Sequence, residues 1–342
     1  MSADGTVRIV GGGVAGLSLG IALRQAGVET EIFEAGDYPR HRVCGEFVAG
    51  LPEATIEKLG IGSVFAGVGV HRSIGWFWRG RRVARQALPA PAWALSRFAL
   101  DARLAGLFVG AGGKLNVQTR ASPSLDGVGW VNAGGRKADG NSRWLGLKLH
   151  LRGVATADGP EMHLGDGGYV GLSTVEDGWS NVCGLFRRRP GLHVDREAAL
   201  PGYLRACGLD ALAERVSAAE VRPGSRSAVA GFAFAGRMAD GGGLRLGDAC
   251  AMIPPFTGDG MAMAFTGAAL AVDSLVAWVR RERSWEEAVR QIDDALGREF
   301  RRRLHAARVL HPFLLHRPLQ RCFGTAARAG ILPLTPLYRL LH

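Results

Sequence analysis

TVRIVGGGVAGLSLGIALRQAGVETEIFE, from Thr6 to Glu34, is the stretch on which the reading of this chain turns. Residues 6–10 are a short β-branched run that suits a buried strand. The run enters Gly11-Gly12-Gly13-Val14-Ala15-Gly16, a G-x-G-x-x-G turn. From there to Gln25 the chain is rich in Leu, Ile and Ala, as a helix is, with Gly27 as its stop. A second strand over 28–33 ends at Glu34, close to the spacing of about twenty residues that separates such glycines from an acid.

Each part has a physical role. Gly11 permits the tight turn, Gly13 lets the backbone approach a pyrophosphate, and Gly16 lets helix and strand pack closely. The start of the helix, at Val14 and Ala15, offers unpaired N–H groups and a positive dipole end to phosphate. Glu34 is placed to accept hydrogen bonds from ribose hydroxyls. The motif alone is weak, but strand, helix, second strand and acid all stand in order, which makes it a dinucleotide site. An acid at the end of the second strand favours FAD or NAD over NADP.

At 342 residues the chain is long enough for about two domains. Its net charge of +11 raises a nucleic-acid reading, which the distribution of charge argues against. From Gly297 to His342 there are nine arginines against one glutamate, so eight of the net positive charges sit in the tail. Such a tail, interleaved with Leu, Phe and Pro, points to peripheral contact with a membrane surface or an acidic partner, or to a solvated terminal helix. The five cysteines are widely spaced and the histidines show no metal-ligand spacing, so neither a disulfide framework nor a metal site is expected. Without a basic segment ahead of the first apolar run, no secretory signal is expected, and the setting reads as cytoplasmic, either free or peripheral to a membrane through the tail. Residues 261–279 are nearly long enough to span a bilayer, but Asp273 and the preceding Gly/Pro loop favour a buried helix.

Along the chain, 73–78 and 81–87 read as a hairpin around Arg79-Gly80, with 89–91 as a breaker. Ser96 caps a helix carrying Arg97 and Asp101. A strand over 128–133 runs into Gly134-Gly135-Arg136, and alternating strands follow at 145–150, 162–164, 169–175 and 179–185, the last two around Glu176-Asp177-Gly178. A helical stretch at 196–216 and a last strand at 227–234 complete this region. Then Leu244-Arg245-Leu246-Gly247-Asp248 leads through Pro254-Pro255-Phe256-Thr257-Gly258-Asp259-Gly260-Met261 into a long apolar helix. The expected organisation is α/β. A Rossmann-type domain of glutathione reductase-like form (1–71, 91–136 and 241–283) is interrupted by a mostly antiparallel substrate sheet (72–90 and 137–240), and 284–342 is a basic helical region.

Three separated motifs resemble the FAD-dependent superfamily of p-hydroxybenzoate hydroxylase and the geranylgeranyl reductases. Gly11, Gly13, Gly16 and Glu34 match its adenosine-diphosphate fingerprint, and Ala133-Gly134-Gly135-Arg136 resembles the A-x-G-R turn of reductase-like members. Gly247-Asp248 with Pro254-Pro255 and Gly258-Asp259-Gly260 matches the G-D…P…G-x-G motif at the flavin end, which NAD enzymes lack. The resemblance implies that FAD is held non-covalently. Asp248 would lie on the ribityl chain, the loop from Pro254 to Met261 (with Pro255) against the isoalloxazine, and Arg97 against the cofactor. Arg42-Val43-Cys44-Gly45-Glu46 resembles the (Lys/Arg)-x-Cys-Gly signature of the reductase branch, which implies that Arg42, Cys44 and Gly45 border the flavin and makes Cys44 a candidate catalytic thiol.

The Tyr-x-Trp-x-Phe-Pro strand of prenyl reductases is missing. Its counterpart here is Gly168-Tyr169-Val170-Gly171-Leu172, and Trp76-Phe77-Trp78 lacks the rest of the halogenase motif. Trp76, Trp78, Tyr169 and Phe256 are the expected walls of an apolar substrate pocket. The resemblance thus implies an FAD-dependent oxidoreductase fed by NADH or NADPH, or by a reductase partner, and acting on a hydrophobic small molecule, with hydroxylation of an aromatic or polyketide-like ring as the lead. Reduction of C=C bonds in an isoprenoid or other lipid, a non-catalytic flavin-binding module and an NAD-dependent dehydrogenase stand as rivals. A colourless purified protein would favour the dehydrogenase.

Overall fold

The computed structural model describes residues 5–121, 127–154, 156, 159–234, 243–329 and 336. The chain opens with β1 (Val7–Val10), α1 (Val14–Gln25) and β2 (Thr30–Phe33), then adds β3 (Phe47–Val48), α2 (Glu53–Leu59), β4 (Gly69–Trp78) and β5 (Arg81–Ala94). Next come α3 (Arg97–Gly110), β6 (Lys114–Asn116), β7 (Trp130–Asn132), β8 (Trp144–Arg152), β9 (Glu161–Gly165), β10 (Gly168–Thr174) and β11 (Ser180–Arg187). The remaining elements are α4 (Ala199–Ala206), α5 (Asp210–Ser217), β12 (Glu220–Val221), β13 (Ser227–Ala230), β14 (Leu244–Arg245), α6 (Gly260–Val279), α7 (Trp285–Leu310) and α8 (Arg317–Arg328).

The architecture is α/β, with two sheets. The first is wholly parallel, in the order β14-β7-β1-β2-β6. Its β1 buries Val7 and Ile9 completely. The first ten residues of α1 are all buried, because the helix is packed by α3 and α6 as well as by the sheet. Two glycines make that packing feasible. Gly11 has φ +101°, and a Cβ on Gly16 would overlap the carbonyl oxygen of Gly11. Helix α6 is long and apolar enough to cross a membrane by length and composition, yet two-thirds of its apolar window is buried against α1, α2 and α7.

The second sheet runs β12-β8-β11-β10-β9-β4-β5-β3, with β13 also paired to β8. It is antiparallel except where β4 meets β9. Helices α4 and α5 cover one face, packing Leu200, Leu204 and Leu212 over Leu147, Leu149 and Leu151.

Some local expectations give way to tertiary context. The 89–91 segment does not break β5. The proline stretch falls in a register shift, where Ala87 pairs with Ser73 and Ala92 with His71, so the missing N–H groups interrupt no ladder. The helical stretch over 196–216 is two helices, split at Gly208, whose φ of +73° ends α4. The strand over 227–234 stops at Ala230.

The basic tail is not a detached appendage. α7 opens with a capping box between Ser284 and Glu287 and buries Trp285, Ala288, Ile292, Leu296, Phe300 and Leu304 at helical spacing. Arg298, Arg301, Arg302 and Arg308 lie on its exposed face. Helix α8 then folds back on β5. The tail residues 330–335 and 337–342 lie outside the described residues.

Candidate functional site

One cavity of about 930 Å³ runs from the glycine turn to the second sheet, at the upper end of the range for ligand sites, about 300–1,000 Å³. At one end it is bounded by Gly11, Gly13, Val14 and Ala15, where α1 begins with neither a side-chain cap nor an acid in its first turn. The orphan N–H groups of that turn and the helix dipole favour an anion there. Gly16 does not line the cavity; it serves the packing of α1.

The wall beside the turn is a chain of charged groups. Glu34, buried, accepts the N–H of Gly12 at 2.9 Å and of Gly36 at 2.8 Å, and pairs with Arg40 at 2.6 Å and Arg42 at 3.4 Å. Burial acts to raise its carboxyl, but Gly36, Arg40, Arg42 and Gly12 outweigh it and hold the group below the usual carboxylate range. Glu34 lines the cavity as expected, with much of its accepting capacity already used within the chain. Asp101, fully buried one turn into α3, takes Arg97 in a two-pronged pair at 2.7 Å for each prong, and Arg42 at 3.0 Å. Arg97 is thereby kept protonated against the cost of its burial, and it lines the cavity within reach of Gly13. Asp101 entered the sequence reading only as a helical position. Its role shows in the i, i+4 spacing from Arg97.

Further along lie Gly247 and Asp248, just after β14. Asp248 opens on the cavity but is enclosed by protein, so desolvation raises its carboxyl against the opposing pull of Arg97 and Arg136. The Pro255–Thr257 turn and Gly258 follow, and α6 presents its N-terminus, Gly260 and Met261, to the same space. Asp259 is buried behind this turn and does not line the cavity.

The far end is an apolar chamber. Trp76, Tyr169 and Phe256 line it, joined by Phe232. Trp78 does not; its ring packs against Gly324 of α8. Tyr169 meets Phe256 edge-on at 6.2 Å, and His311 stacks on Phe256 at 5.9 Å. Burial, and secondarily Arg187, push the His311 ring down to about 4, so it is neutral at neutral pH. Leu310, Phe313, Leu314, Phe323 and Ala326 close the chamber. The tail thus supplies cavity wall, a role its composition did not announce.

Between the two ends stands the Arg42–Glu46 turn. Cys44 and Gly45 line the cavity, and both their carbonyls accept from Asn181, at 3.0 and 2.9 Å. Burial pushes the Cys44 thiol up, which keeps it protonated. Behind it lies a cluster that the sequence reading missed. Glu46, with φ 54°, is fully buried and receives Lys148 at 2.6 Å, His150 at 2.5 Å and the backbone N–H of Arg97 at 2.9 Å. Lys148 and His150 alternate with leucines in β8 and resemble a solvent face, yet they are 1% and 0% exposed. Two polar residues at period two in Leu-Lys-Leu-His-Leu were the available signal, pairing with the glutamate of a glycine turn. Among the described residues no group of three metal-ligating side chains occurs.

Comparison with known proteins agrees with this fold. A family profile for NAD(P)-binding Rossmann-like domains matches residues 9–45. No curated protein sequence matches the chain. Among solved structures, the flavin-dependent brominase Bmp2 superposes with a TM-score of 0.74 at 18% identity, over 98% of this chain and 92% of that one. HpxO of Klebsiella pneumoniae, solved with FAD and uric acid, gives 0.76 at 17% identity, over 98% and 96%. PqsL of Pseudomonas aeruginosa, solved with 2-aminobenzoylacetate, gives 0.71 at 15% identity, over 95% and 98%. The chain therefore has a two-sheet Rossmann-type fold. It is the form that these flavin-dependent proteins share, over nearly their whole length.

Proposed function

We propose that this protein is an FAD-dependent oxidoreductase, and specifically a monooxygenase that hydroxylates a hydrophobic aromatic or polyketide-like substrate using NADH or NADPH and oxygen. The observation that carries the reading is a single cavity with a phosphate-type end, a middle bounded by Asp248 and the α6 N-terminus, and an aromatic far chamber. The residues fit FAD. The glycine turn and Arg97 would receive the pyrophosphate, Asp248 the ribityl hydroxyls, and the Pro255–Met261 segment with Cys44 and Gly45 the ring. The N-terminus of α6 would face the ring edge that carries negative charge on reduction, a contact worth about 0.3–2 kcal/mol. When bound, the flavin supplies hydride acceptance from nicotinamide and the activation of oxygen. The chain's own part is to orient it, to exclude water with Trp76, Tyr169, Phe232 and Phe256, and to hold the substrate over it. Structural relatives named for bromination and for FAD-dependent monooxygenation support this reading.

A second reading, C=C reduction, draws on one observation: Cys44 faces the cavity as a protonated thiol and so has a proton to donate. Anaerobic single turnover separates the two. Full product from reduced enzyme without oxygen overturns hydroxylation, while oxygen consumption in step with NAD(P)H and gain of one oxygen atom supports it. The arginine face of α7 supports a further proposal, peripheral attachment of the tail to an anionic membrane or an acidic partner.

A further inference from the structure

Between β12 and β13 the chain makes a turn that does not border the large cavity, Arg222-Pro223-Gly224-Ser225-Arg226. Pro223 and Gly224, the latter with φ +71°, take the two central positions. The Ser225 N–H returns to the Arg222 carbonyl at 3.2 Å, which is the pattern of a type II turn. The buried Ser225 hydroxyl donates to that carbonyl at 2.7 Å and accepts the His150 N–H at 3.1 Å. The Arg222 N–H donates to the His150 carbonyl at 2.9 Å. The turn is thus pinned to β8, and it holds an arginine at each end.

Both arginines line a surface pit, a different opening from the large cavity, together with Arg40, His41, Phe98 and Trp179. The Arg222 guanidinium lies 4.8 Å from the Phe98 ring and 5.6 Å from the Trp179 ring, and these contacts fix its direction. His41 stacks on Phe98 at 4.7 Å, and burial, then Lys148 and His150, lower its ring to about 4, so it adds no charge at neutral pH. No acid lines the pit. Arg40 has a partner in Glu34 at 2.6 Å, although its buried Nε has none. Among the described residues Arg222 and Arg226 form no ion pair and no side-chain hydrogen bond, and Arg222 Nη1 and Arg226 Nε are buried without a partner. Guanidinium groups in such recesses are ordinarily paired, because unsatisfied N–H groups and unopposed charge are both costly. Two unpaired arginines in one pit, with a third at its wall, mark a place for an anion that the chain itself does not supply.

We propose that this pit binds the phosphate group of an organic phosphate, as an anion site distinct from the glycine turn. The site does not depend on the oxidoreductase reading. A carboxylate has two oxygens, which one guanidinium fork matches. A phosphomonoester has three terminal oxygens and a charge of about −2, which suits arginines converging from separate parts of the chain. Arg40 comes from the loop after β2, and Arg222 and Arg226 from the turn after β12. The rest of the lining near the turn, Pro39, Pro223 and Gly224, carries no charge, so the phosphate is the part of the ligand that is recognised. Two kinds of molecule bring such a group: a nicotinamide donor through a phosphate on its adenosine ribose, and a small phosphorylated metabolite.

Calorimetric titration of the whole chain with phenyl phosphate and with benzoate tests the site without flavin. Phenyl phosphate should bind about tenfold or more tighter than benzoate, and Arg222→Gln and Arg226→Gln should each weaken it by a similar factor. Arg222 also braces two rings, so Arg226→Gln is the decisive variant. Without ligand it should melt no lower than the wild type, because it removes a cation that no acid opposes. Phenyl phosphate affinity that survives both substitutions overturns the site, as does equal affinity for the two probes. A lowered melting temperature with unchanged affinity makes Arg226 a structural residue and overturns it too. Adenosine 2′-monophosphate then separates the sources. Binding tighter than that of phenyl phosphate, and lost in Arg226→Gln, assigns the pit to a nicotinamide donor. Affinity equal to that of phenyl phosphate, and lost in the same variant, assigns it to a small phosphorylated metabolite.

Discussion

Glu46→Gln is the substitution in which this structure has most at stake. It removes the counter-charge of a lysine with 1% exposure while leaving the shape of the site almost unchanged. At 2.6 Å and an effective dielectric of about 20, the Glu46–Lys148 attraction is about 6 kcal/mol. Desolvation offsets part of this in the intact pair, but not once one partner is gone. The expected loss is therefore about 3–5 kcal/mol, a fall in Tm on the order of 10 °C. Urea titration and thermal melting measure it. Lys148→Met should be costly alone, and the double variant should lose less than the sum of the singles by about 0.5–3 kcal/mol. The pH dependence carries the same signature. The Glu46 carboxyl is lowered in the folded state, its pairing with Lys148 and His150 outweighing burial. Its contribution is thus fully present above the unfolded value of about 4.3 and is lost as pH falls through the lower folded value. Glu46→Gln should flatten that part of the acid-stability profile. A loss under about 1 kcal/mol, or strict additivity with Lys148→Met, would refute the reasoning.

Asp248→Ala and Glu34→Ala should each weaken flavin binding about tenfold or more, the loss of a charge-assisted hydrogen bond being about 1.5–3 kcal/mol; wild-type affinity in both, by fluorescence titration, would sink the site assignment. Alkylation of Cys44 by a neutral reagent should be slow at pH 8 and keep rising beyond the usual thiol range, since burial raises its pKa; a plateau near pH 8 would contradict this. Tail attachment to anionic vesicles should weaken with salt, the Debye length being about 10 Å at 0.1 M, and sedimentation indifferent to lipid charge and to truncation at Gly297 would exclude it.

What the sequence made legible is what lies close together along it. The glycine turn, its helix and Glu34 fall within thirty residues, and Gly247-Asp248 with Pro255 and Gly258 is equally compact. Such motifs specify backbone directly, so their reading transfers to space. The groups it missed meet across long separations: Glu46 and Lys148 are 102 residues apart, and Tyr169 and His311 are 142. The alternation in β8 says only that two faces differ. That the polar face is covered as well follows from a turn placed on it by another part of the fold. The proline segment in β5 was misread for a related reason, since a proline breaks a strand only where its N–H would have been used.

The charged wall beside the glycine turn bears on the entropy of binding. A free arginine side chain carries about 2 kcal/mol of rotamer freedom, which a ligand ordering it must overcome. Here Asp101 fixes Arg97 and Arg42, and Glu34 fixes Arg42 and Arg40, before any anion arrives. The disorder is lost once, when the chain folds, and an incoming phosphate meets guanidinium groups that have little left to lose. Asp101→Asn would shift that loss to the binding step. Affinity would fall with a more unfavourable binding entropy, although Asp101, held in these arginine pairs, would itself have touched no ligand.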